Sequence, residues 1–334
     1  MIIDAYTHCT PINFVKKLAN TRSELARKAA EYTMKLSQEK PNFIQMERRL
    51  SDLERFGFDL QVTMVHSIIE PNTFDLSPEE NLQLTSVLND DLIELSRRSK
   101  GKIIALGTIP LLSLQSGGLE EMDRAVNMGL KGFMVPTNSL GKPIDAFFPA
   151  LERASKLGVP IYVHPVDTIE GMSRPYEIEF DLMHVLGWPY ETSLIWTRLV
   201  LSGLMDRLPQ LKVVTHHLGG TVPYLIGRIQ ESYDSKSSKV MNLRGEVFNS
   251  NKSPNEMLKR FYYDTAIGGN KAAIKCGVDV VGSENVVFST DYPWGPDSGR
   301  GRMKTYPNLL LSSGFTDEEL ENIFHRNIST LLHI

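Results

Sequence analysis

The chain has 334 residues, 41% of them apolar and 23% charged, close to the average of globular proteins. Its 36 basic and 40 acidic side chains leave a net charge of −4, which argues against nucleic acid or an anionic membrane surface as the main partner. Apolar runs such as 309–311 are too short to cross a bilayer. Two cysteines, Cys9 and Cys276, make neither a disulfide framework nor a CxxC pair.

The opening Met1-Ile2-Ile3-Asp4 lacks the basic stretch of a signal peptide, so a reduced, cytoplasmic setting is expected. In chain order, short β-branched runs at 2–6, 61–66, 102–108, 132–135, 159–164, 211–217, 261–264 and 285–290 are predicted as strands. Helical patterns lie between them, at 82–98, 119–128, 147–157, 193–208, 222–229 and 271–277, with a last one at 318–333. Nearly continuous apolar strands alternating with helices imply a parallel sheet covered on both faces. Eight such units in one domain of this length predict a (β/α)8 barrel. No GxGxxG follows the first strand, which disfavours a dinucleotide-binding sheet. Two segments exceed what a barrel needs: a helical stretch at 11–56 and an irregular one at 165–190. Each follows a strand, so each is expected over the mouth, where barrel active sites are built. A dimer contact is the other reading of the first.

Five of the eight histidines fall at or just after a predicted strand end: His8, His66, His164, His216 and His217. Asp291 follows the last strand in the same way. Neutral imidazoles and a carboxylate suit zinc, with manganese or iron as alternatives. Three protein ligands with an open position describe a catalytic metal rather than a structural one.

Five motifs, in this order, resemble the amidohydrolase superfamily in its amidohydrolase-2 branch, which contains aminocarboxymuconate-semialdehyde and resorcylate-type decarboxylases. Ile3-Asp4-Ala5-Tyr6-Thr7-His8 is similar to the D-x-H-x-H strand. Val163-His164-Pro165 looks like the fifth-strand metal histidine, and Gly187-Trp188-Pro189-Tyr190-Glu191-Thr192 like G-x-P-x-E-T. His217-Leu218-Gly219-Gly220-Thr221-Val222-Pro223 is similar to H-x-G-G-x-x-P, and Ser289-Thr290-Asp291-Tyr292-Pro293 to G-T-D-Y-P. The resemblance implies His8, His164 and Asp291 as metal ligands and His217 as general acid/base. It also implies Asp291 in a catalytic role, with Zn2+ as the expected ion and Mn2+ as the alternative. Tyr6 stands where the family has its first histidine. It is either a phenolate ligand or a neutral hydrogen-bond donor, or else the metal is weak or absent. Strand alternation sends His216 away from His217, which gives it a structural reading.

The activity implied is metal-dependent non-oxidative decarboxylation of a small unsaturated or aromatic acid. The alternatives are hydrolysis of a C–N, C–O or C–C bond by metal-bound water, and a metal-free binding protein of the same fold. A small anionic substrate needs local cations and aromatic walls. Tyr6, Arg49, His66, Arg174, His184, Trp294, Arg300 and Arg302 are the candidates to touch it, the arginines as bidentate forks. A homodimer is expected by analogy.

Overall fold

The computed structural model describes residues 1–166, 179–235 and 250–334. Eight parallel strands run around a closed barrel: β1 (Ile3–Cys9), β2 (Leu60–Val65), β3 in two pieces (Ile103–Ala105 and Gly107–Thr108), β4 (Phe133–Pro136), β5 (Ile161–His164), β6 (Val213–Thr215), β7 (Phe261–Asp264) and β8 (Val286–Val287). Sequence neighbours are sheet neighbours, and each of these pairs is parallel. The ring closes where Ala5 N donates to Phe288 O at 2.8 Å and Asp291 N to Tyr6 O at 3.1 Å. Each predicted strand is present. The strands are buried on both faces, β1 along its whole length, which is why they read as apolar runs rather than alternations.

The helices cover this barrel by their apolar stripes. Before the helix Pro78–Arg98, Ser77 and Glu80 form a reciprocal cap and Pro78 fills the first position, which fixes its start. Leu84, Leu88 and Leu92 then recur on its buried side at the spacing of one helix face. The helix expected at 193–208 begins earlier, at Trp188, and breaks at Gly203, whose φ of 73° stops it after Leu201. β6 ends two residues before its expected limit, because His217 (φ 44°) and Leu218 (φ 51°) leave the extended conformation.

The stretch 11–56 forms α1 (Ile12–Leu18), α2 (Glu24–Glu39) and α3 (Met46–Phe56). Between α2 and α3, Phe43 reaches the C-terminal ends of the strands. Thr10 N donates to Phe43 O at 2.9 Å, and the Phe43 ring sits 5.0 Å from Trp294 and 5.3 Å from His66. Among the described residues no helix is long and apolar enough to cross a membrane.

Candidate active site

A cavity of about 880 Å³ opens at this end of the barrel, the end at which barrel enzymes place their chemistry. His8, His164, His216, His217 and Asp291 line it, with Trp188, Trp294, His184 and Arg302 around them. β1 supplies His8 and β5 supplies His164, each at or near its last residue. The segments after β6 and β8 supply His216, His217 and Asp291.

Three imidazoles are oriented by the partner of Nδ1. His8 Nδ1 lies 3.2 Å from Val65 O, His164 Nδ1 is bonded to Pro165 O, and His217 Nδ1 lies 3.2 Å from Asp264 Oδ1. An acceptor at Nδ1 puts the proton there and leaves Nε2 as the free nitrogen. His8 Nε2 lies 3.3 Å from Asp291 Oδ1, and His217 Nε2 lies 4.0 Å from Asp291 Oδ2. The His164 ring is 5.3 Å from that of His8 and 4.6 Å from that of His216.

Burial, and then the neighbouring imidazoles, push His164 and His216 well below the usual histidine range. Both are uncharged at neutral pH, with lone pairs available. Burial alone would raise the Asp291 carboxyl. The hydrogen bond with His8, the His217 and His8 charges and the Arg302 guanidinium outweigh it and hold the group down to about 2. Asp291 is therefore an anion set against the imidazole cluster.

Tyr6 is fully buried. Its ring lies edge-on to His8 at 5.3 Å, stacks with His164 at 6.0 Å and meets His216 at 5.2 Å. The imidazole cluster rests on it. Its hydroxyl has no hydrogen-bond partner among the described residues. Burial, and then the Asp264 and Asp291 carboxylates, raise its pKa well above the ordinary phenol value.

His216 departs from the alternation expected of it. The strand has ended at Thr215, so its ring stacks on that of His217 at 3.3 Å and lines the cavity. The loop that carries both can lie this close only because of the glycines in His217-Leu218-Gly219-Gly220. A Cβ on Gly220 would stand 2.1 Å from Pro189 O.

Three expected substrate contacts are corrected. Arg49 is 2% exposed. Its guanidinium donates to Gln61 Oε1 at 2.6 Å, to the Thr7 and Thr63 hydroxyls and to His8 O, so it braces β1 and β2 beneath the site. Arg300 donates through Nε to Asp52 Oδ1 at 2.9 Å and ties the segment after β8 to α3. Neither side chain lines the cavity. His66 lies 3.1 Å by Nε2 from Thr10 Oγ1 and packs against Phe43 and Trp294. Burial lowers it to about 3, and it too stands outside the lining. Trp294, His184 and Arg302 do line the cavity, whereas Arg174 falls outside the described residues.

Sequence reasoning missed Asp264, the last residue of β7, and undervalued His216 and Trp188. A carboxylate closing a barrel strand was the available signal for Asp264.

A family model described as Amidohydrolase, the amidohydrolase-2 model, matches residues 75–334. A 2-amino-3-carboxymuconate-6-semialdehyde decarboxylase of Dictyostelium discoideum is 29% identical over 249 residues, covering 74% of this chain and 66% of that protein. A gamma-resorcylate decarboxylase of Rhizobium radiobacter is 25% identical over 269 residues, covering 74% and 76%. A solved 5-carboxyvanillate decarboxylase of Novosphingobium aromaticivorans, complexed with manganese and 4-hydroxy-3-methoxy-5-nitrobenzoic acid, has a TM-score of 0.85. It covers all of this chain and 96% of its own at 19% identity, a likeness of fold.

Proposed function

This chain belongs to the amidohydrolase-2 family, and from that premise we propose that it is a divalent-metal-dependent, non-oxidative decarboxylase of a small aromatic or unsaturated carboxylic acid. The observation that carries the reading is the approach of His8 Nε2 to Asp291 Oδ1, 3.3 Å apart at the floor of the cavity. With Nδ1 turned to Val65 O, His8 turns its other nitrogen toward a carboxylate oxygen. An imidazole nitrogen and a carboxylate oxygen converging in this way are the donor types that a divalent cation takes. Among the described residues no three His, Cys, Asp or Glu side chains already surround one point as a metal-holding group. The fit is one of donor chemistry: His8, His164 and Asp291 would hold the ion. Two imidazoles and one carboxylate suit zinc, and the same set takes manganese. A buried, protonated Tyr6 stands beside these ligands rather than among them.

Held by these residues, such an ion would supply a Lewis acid for an oxygen of the substrate. The chain does the rest. Trp188 and Trp294 offer ring faces and edges to a planar substrate at the cavity wall. His217, its Nδ1 against Asp264, directs Nε2 inward; once Nε2 has taken a proton from solvent, the imidazolium delivers that proton to the carbon that carries the carboxylate. That carbon gains hydrogen, the C–C bond breaks, and carbon dioxide leaves with the bond's former carboxyl carbon. No oxidant is needed. His217 takes its next proton from solvent through the cavity mouth.

Elemental analysis of the purified protein after reloading with zinc or manganese tests the metal assignment. About one ion per chain is expected, with loss of that ion in His164→Ala. Well under one ion in the unaltered chain contradicts it.

A further inference from the structure

Asp264 ends β7 and is fully buried. Its Oδ2 accepts from the His217 backbone N at 2.6 Å. Its Oδ1 accepts from Ala266 N at 2.8 Å and from Ser289 Oγ at 2.8 Å, and meets His217 Nδ1 at 3.2 Å. An ionised carboxylate only accepts, so His217 faces it with a proton on Nδ1 and turns Nε2 into the cavity.

The same carboxylate holds the backbone there. His217 and Leu218 take φ values of 44° and 51°, a region side-chain-bearing residues rarely adopt. The Oδ2 bond to His217 N anchors the chain where it enters that conformation. Ser289 stands two residues before Asp291, so its bond ties Asp264 to the segment that carries the acidic ligand. One buried group thus sets where the imidazole hangs, which nitrogen it shows, and how far that nitrogen stands from Asp291.

We propose that Asp264 is a positioning residue for His217, fixing its ring orientation and its Nδ1–H tautomer for proton delivery. The proposal rests on the reading of His217 as the proton donor. Asn in this place is diagnostic, because a carboxamide has one accepting end. With its oxygen toward Ala266, Ser289 and Nδ1, its NH2 group meets the His217 backbone N–H, donor against donor. Turned round, the NH2 group meets the other donors instead.

Two measurements test this. Nitrogen NMR of the full chain labelled in its histidines, at pH 8.5, with the His217 signals assigned by their loss in His217→Asn, is expected to show the proton on Nδ1 and Nε2 bare. A proton on Nε2 in the unaltered chain overturns the proposal, and this reading needs no variant of Asp264. Turnover of 2,6-dihydroxybenzoate and 5-carboxyvanillate gives the second. Asp264→Asn is expected to lower kcat by about 10–100-fold with KM and metal content kept, and to lower it less than about twofold further when added to His217→Asn. Full, additive losses in the double variant overturn the proposal, since they show Asp264 acting other than through His217. If the unaltered chain decarboxylates neither acid, it is the assigned reaction that loses support, and the tautomer spectrum decides the place of Asp264 by itself.

Discussion

Arg302 Nη1 stands 2.8 Å from Asp291 Oδ2, while the other oxygen of the same carboxylate faces His8 Nε2 at 3.3 Å. The two oxygens are thereby divided: one is held by a guanidinium and the other is turned to His8. Arg302→Met frees the carboxylate to rotate. We expect metal affinity to fall about 10–100-fold, the usual effect of losing a partner of a ligand. Arg302→Lys should recover only part of it, because an ammonium does not reproduce the planar donor. Competition with a chelating dye measures both, and unchanged affinity in Arg302→Met refutes this role.

The two adjacent histidines should separate in kinetics. His217 is held by Asp264 and points Nε2 inward, so His217→Asn should reduce turnover by about 10²–10⁴-fold with the metal retained. His216 stacks on it and should matter less for rate when changed to Asn. Equal losses from the two substitutions contradict the assignment of the proton donor.

Tyr6 offers a sharp contrast between two substitutions. Its hydroxyl has no partner among the described residues, so Tyr6→Phe should change stability by less than about 1 kcal/mol and leave metal affinity as it is. Tyr6→His adds a nitrogen donor beside His8 and should tighten metal binding. Calorimetric titration with zinc checks both, and weakened binding in Tyr6→Phe would show that the phenol is a ligand.

Glu70 and Asp4 are fully buried carboxyls raised to about 7, burial being the main cause in each. A pKa raised on folding means that the folded chain holds a proton the unfolded chain has already lost. The stability from such a group is present below about pH 4 and is lost as the pH rises toward 7. We expect Tm to fall by about 5 °C between pH 5 and pH 8, and Glu70→Gln, which cannot ionise, to remove roughly half of that fall. A Glu70→Gln curve parallel to that of the unaltered chain would show that Glu70 is not the group responsible.

The barrel was legible because its strands are buried on both faces, so β-branched runs such as that of β1 stand out between amphipathic helices. The histidines at strand ends were legible for the same reason: a polar residue closing an apolar run has few places to go but the mouth. Less was legible where the backbone leaves regular geometry. The orientation of His216 could not follow from alternation once the strand had stopped at Thr215. Arg49 looked like an anion fork by its spacing, yet its place on α3 carries it inward to Gln61 and His8 O. Asp264 was invisible as a partner of His217 because the two lie 47 residues apart, one ending β7 and the other just past the end of β6, a pairing no local pattern reveals.

Carbon dioxide release tests the central claim most directly. The chain is loaded with zinc or manganese and incubated with 2,6-dihydroxybenzoate, 5-carboxyvanillate and related aromatic acids. Carbon dioxide and the remaining acid are then measured together. Metal-dependent decarboxylation predicts carbon dioxide in equal amount to the acid consumed, abolished in His164→Ala and strongly reduced in His217→Asn. Loss of an ester or amide test substrate without carbon dioxide, or carbon dioxide release indifferent to the metal and to His164, would contradict it.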